Sequence, residues 1–108
     1  MAKTRYKKIS DYGISDIEEE RTLEYCRCHT STEELVQIKD ASVSANKVIW
    51  KEIFISLCSG QSYAKLSVKR TIPYSEVDFY AYRRKALAIL AKKLRGKENL
   101  NNVSTSNN

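Results

Sequence analysis

Three groups of residues in this sequence have types and spacings that could do chemistry. Cys26, Cys28 and His29 lie close together and could offer thiolates and an imidazole to a metal. Structural zinc takes four ligands in paired spacing, and the remaining candidate, Cys58, stands by itself in an apolar segment, so free thiols are expected. Asp16, Glu18, Glu19 and Glu20 form an acidic run of the kind that can hold a cation. They follow Ser15 at a helix start, however, where complementarity to the helix dipole accounts for them. The third group is the stretch "SYAKLSVKRTIPYSEVDFYAYRRKAL", residues 62–87, which mixes Lys and Arg with Tyr and Ser. Those side chains make contacts to phosphates and base edges.

No catalytic constellation accompanies them. His29 is the one histidine and lacks a partnered acid and nucleophile, and no Gly-rich phosphate loop occurs. The expectation is a protein that is not an enzyme and needs no cofactor, with His29 as a partner of its helix's C-terminal dipole. Three cysteines without an export signal argue against a disulfide framework. No apolar run reaches the ~18 residues of a membrane span, so a cytoplasmic protein without membrane contact is expected.

Charge is unevenly spread. Residues 1–8 carry four bases and no acid, residues 11–40 nine acids against three bases, and residues 41–108 twelve bases against four acids. The total of +6 thus joins an acidic stretch to a basic C-terminal half, a pattern that fits contact with a polyanion.

The elements that must position the third group read as helices throughout. With 42% hydrophobic residues, three Gly and one Pro, the sequence predicts an all-α fold: a small bundle of about five helices, ending in a helix-turn-helix whose second helix is long. Residues 1–12 read as a flexible basic arm, 13–97 as a single helical domain, and 98–108 as a disordered polar tail. Ser15 with Glu18 forms a capping-box pattern, with Ile17, Leu23, Tyr25 and Cys28 as the inward stripe. "TSTEELVQI" repeats the design with Leu35, Val36 and Ile38 as apolar positions. "SANKVIWKEIFISLCSG" is apolar around most of its circumference, and Gly60 supplies its stop. In the last helix Val77, Tyr80, Leu87, Ala91 and Leu94 recur as one packing stripe that Arg84 shares, and Gly96 marks its end.

The helix-turn-helix is expected over about 61–94. Tyr63 and Leu66 face inward, Ile72 is the apolar turn residue, and Val77 is the first buried position of the second helix. That register leaves Tyr74, Ser75, Asp78, Phe79, Tyr82 and Arg83 on the free face. Lys65, Lys69 and Arg70 on the first helix and turn, with Arg83, Arg84 and Lys85 beyond, are the expected phosphate contacts. Glu76 reads as a first-turn dipole partner. Asp78 has the same role open to it, or acceptance of a cytosine amino group.

This segment resembles the helix-turn-helix of sigma-factor region 4. It is more similar still to the ArpU-type phage-encoded transcriptional regulators of Gram-positive bacteria. Gly60, Ser62, Tyr63, Leu66, Ile72, Ser75, Val77, Tyr82, Arg83, Arg84, Lys85, Ala86 and Leu87 stand at that pattern's positions. The resemblance covers about residues 55–95, and Arg70 and Thr71 depart from it toward a longer turn. It implies a sequence-specific, double-stranded-DNA-binding transcription regulator of a phage or mobile element. RNA polymerase is an implied second partner and a homodimer an implied form. The alternative is a protein-interaction adaptor or inhibitor that binds a host protein without DNA, or a DNA-packaging or recombination accessory.

Overall fold

The computed structural model describes residues 2–28 and 31–106, and the side chains of 4–28 and 31–96. His29 lies outside the described residues, as do residues 107 and 108 of the expected tail. All regular structure among the described residues is helical, in a small all-α bundle. The elements are α1 (Ala2–Tyr6), a short 3₁₀ turn (Ile9–Tyr12), α2 (Asp16–Cys28), α3 (Thr32–Ala45), α4 (Trp50–Ser59), α5 (Tyr63–Lys69) and α6 (Glu76–Ser106).

Local chemistry explains most of the boundaries. Before α2, Ser15 Oγ accepts from the Glu18 N–H and the Glu18 carboxylate accepts from the Ser15 N–H, each at 3.2 Å. Ser31 and Glu34 build the same reciprocal cap on α3. Each box satisfies backbone donors that have no intrahelical partner. Asn46 turns the chain from α3 to α4, its side-chain oxygen accepting from the N–H groups of Val48 and Ile49. Gly60 ends α4 in the left-handed region at φ +78°, where a side chain would be strained.

α6 is the central element. Helices α1 to α5 and the 3₁₀ turn all pack on it, α3 along the greatest length. Ala86, Leu87 and Ala88 are consecutive and all buried. Successive helical residues point about 100° apart, so three in a row need cover on several sides. Alanines at 81, 86, 88 and 91 let the neighbouring helices approach closely. A helix surrounded in this way has no single inward stripe, and that changes several expectations.

The register of α6 is the chief correction. Val77 is 54% exposed and Phe79 is completely buried; the sequence reading has them reversed. Phe79 meets the Tyr63 ring of α5 at a centroid separation of 5.5 Å, and this larger side chain takes the buried place beside α5. Gly96 does not end the helix: its φ is not positive and α6 continues to Ser106, through residues read as the start of a disordered tail. Glycine stops a helix only where the chain enters the left-handed conformation.

Residues 2–12, within the segment read as a flexible arm, are likewise packed on the bundle. α1 packs on α6, Ile9 belongs to the core, and the 3₁₀ turn ends at Gly13 with φ +78°. In α2 the buried positions are Thr22 and Cys26, while Ile17 and Cys28 are exposed. Two small side chains one turn apart form the close-packed face, and the Thr22 hydroxyl satisfies itself by donating to the Glu18 carbonyl at 2.7 Å. Val48 lies outside α4 and is exposed.

Candidate nucleic-acid interface

α5 and the start of α6 are joined by residues 70–75, six positions, longer than the three or four of a compact helix-turn-helix. Both helices open on serine caps. Ser62 Oγ accepts from the Lys65 N–H at 3.2 Å, and Ser75 Oγ from the Asp78 N–H at 3.3 Å. Leu66 and Ile72 are buried, and half-buried Tyr63 packs its ring against Phe79.

Tyrosines lock the geometry. The Tyr63 hydroxyl donates to the Tyr74 carbonyl at 2.7 Å, while the Tyr63 N–H donates to the Tyr80 hydroxyl at 3.0 Å. Tyr74 and Tyr82 meet edge to face at 5.4 Å. One residue of α5 thus ties both the connection and the second turn of α6 to it. Aromatic pairs of this kind contribute about 0.5–1.5 kcal/mol beyond their buried area.

The expected reading residues separate into distinct environments. Lys65 and Lys69 are exposed on α5. Arg70 is exposed and paired to Glu52 of α4 at 3.2 Å. Ser75 is exposed, with its hydroxyl engaged as the cap. Tyr74 and Tyr82 are half-buried against each other. Asp78 pairs with Arg5 of α1 at 3.0 Å, so its charge is met from within the chain. Phe79 is absent from the surface altogether.

Arg83 points the other way from the expectation. Its Nε donates to Ser56 Oγ of α4 at 2.9 Å, and that hydroxyl donates onward to the Gln61 carbonyl at 2.8 Å. Burial pulls Arg83 below the usual arginine range, and the nearby Arg27 adds to the effect. Arg84 is also occupied, donating to the Lys7 carbonyl at 3.0 Å. These two arginines join elements of the bundle; an inward-facing guanidinium with a hydroxyl partner is a packing group.

The exposed surface of α5 and of the start of α6 includes Lys65, Val68 and Lys69 from the first helix with Glu76 and Val77 from the second. The sequence reading missed Val68 and Val77 as surface groups. The available signal was the competition between Val77 and Phe79, two residues apart and so on opposite sides of a helix, for one buried position.

No protein-family model matches the chain, and neither a curated protein nor a solved structure is similar enough to it to count as a match. The resemblance to sigma region 4 and to the ArpU-type regulators rests on the quoted residues themselves.

Proposed function

We propose that the chain is a sequence-specific DNA-binding regulator that meets duplex DNA through α5 and the first turn of α6. The observation that carries this reading is the exposed pair Lys65 and Lys69 on α5 together with exposed Glu76 and Val77 at the start of α6, on two helices joined by the hydrogen bonds of Tyr63. Phosphate contacts from the lysines fix the register. In this reading Glu76 accepts from a cytosine amino group and Val77 touches a thymine methyl, both major-groove features. Lys7 and Lys8 are exposed on the N-terminal segment that packs on α6 and supply further positive charge. One short helical turn reads few base pairs, so binding as a homodimer to paired half-sites fits this role. Regulation of transcription, with RNA polymerase as a second partner, belongs to the same proposal.

Fluorescence anisotropy with labelled duplexes over a salt series tests it. The expected result is preference for one site, such as the protein's own upstream DNA, with affinity falling steeply as salt rises. Replacing Lys65 and Lys69 with Ala should remove two phosphate contacts and flatten the log–log salt slope by about 2. Absence of site preference at moderate salt, or a slope unchanged in the double variant, overturns the reading in favour of an adaptor that binds protein.

A further inference from the structure

A groove of about 300 Å³ runs along the seam of α3 and α4 and reaches Arg70 of the α5–α6 connection. Leu35 and Val36 of α3 and Trp50 and Phe54 of α4 form its floor. Leu35 and Val36 are 36% and 47% exposed, and the Trp50 and Phe54 rings meet edge to face at 6.4 Å. Neighbouring apolar side chains that stay open to water, with a tryptophan among them, make the kind of surface on which binding energy concentrates.

The rim is cationic. Lys39 and Lys51 hold their ammonium groups 5.2 and 5.9 Å from the centre of the Trp50 ring, and Arg70 closes one end. Among the described residues no carboxylate lines the groove; the nearby Glu52 is taken by Arg70 at 3.2 Å. An apolar floor between positive edges is complementary to an apolar stripe flanked by acids. The α3 wall runs from Thr32 to Lys39, roughly 10 Å at about 1.5 Å per residue. Two turns of a docked helix, with apolar anchors at i, i+4 and i+7, fill that length. The phosphate edge of a DNA duplex would satisfy the lysines and leave the floor in water.

We propose that the α3–α4 groove is the docking site for an acidic amphipathic helix of a partner protein. Its apolar side chains cover Trp50 and Phe54, and its carboxylates meet Lys39 and Lys51. The proposal is independent of the DNA-binding reading, because neither lysine belongs to α5 or α6.

Trp50 is the chain's one tryptophan, so its emission reports on the groove directly. The probes are a short labelled helical peptide with Leu at i, i+4 and i+7 between Glu residues, and its counterpart with Lys in place of Glu. The expected result is a blue shift of Trp50 emission with the Glu peptide and affinity about tenfold or more weaker for the Lys peptide. Val36→Asp, at an exposed position, and the pair Lys39→Glu with Lys51→Glu should each weaken the Glu peptide about tenfold. Circular dichroism and urea midpoints should confirm that both variants keep the fold. Equal binding of the two peptides, no binding of either, or unchanged affinity in folded Val36→Asp overturns the proposal. So does self-association in sedimentation that protects Trp50, which would assign the groove to a second copy. Displacement of the bound peptide by duplex DNA would assign the cations to nucleic acid and overturn it equally.

Discussion

The Arg83 Nε lies 2.9 Å from Ser56 Oγ, which ties the central helix to α4 through a group whose sequence neighbourhood suggests a DNA contact. Arg83→Ala leaves a packing gap and releases a buried hydroxyl. Bonds to charged groups contribute about 1.5–3 kcal/mol, so the variant should lose stability of that order in urea unfolding. Any loss of DNA binding should disappear at temperatures where the variant is fully folded. A folded Arg83→Ala protein of native stability that fails to bind DNA would return Arg83 to the reading face.

Val77 and Phe79 should respond oppositely to substitution. Phe79→Ala empties a wholly enclosed site beside Tyr63 and should cost about 3–5 kcal/mol. Val77→Asp changes an exposed position and should stay within about 0.5 kcal/mol of the parent. It should nevertheless weaken DNA binding, since it puts a carboxylate into the proposed contact. Urea midpoints of the two variants, measured side by side, check the register of α6.

Glu18 provides a pH signature. Its carboxylate takes hydrogen bonds from Arg95 at 2.7 to 2.9 Å. Arg95 first, and the Ser15 N–H second, hold it below its ordinary 4.5. A carboxyl lowered in the folded state contributes stability above its unfolded pKa, and that contribution is lost as pH falls through the folded value. Stability should therefore decline on acidification below about pH 4.5, and less steeply in Arg95→Gln. Urea midpoints from pH 6 down to 3 compare the two; parallel curves would show that the contact does not couple to folding.

The cysteines should differ in reactivity. Cys26 is enclosed and its thiol is pushed up to about 12, by burial first and by Cys58 second. Cys28 is exposed. Because the thiolate is the reactive species, a thiol reagent at pH 8 should modify Cys28 promptly and reach Cys26 only after denaturation. Peptide mapping of the labelled protein tells them apart, and early labelling of Cys26 would contradict the packing of α2.

Features that depend on a few adjacent residues can be read directly along the chain. The serine caps at 15, 31 and 62, the left-handed Gly60 and the all-helical class all follow from hydrogen-bonding groups and backbone freedom within one or two turns. The inward placement of Leu66 and Ile72 was also legible in their short segment. By contrast, the N-terminal segment looks like a solvated arm because its anchors are remote: Ile9 in the core, and Arg5 on Asp78. The faces of α6 were decided by assembly for the same reason. Six neighbouring elements enclose it, so periodicity carries no single direction there. Which of Val77, Phe79 and Arg83 turns inward depends on their partners on α4 and α5, Ser56 and Tyr63, which only the packed bundle brings against α6.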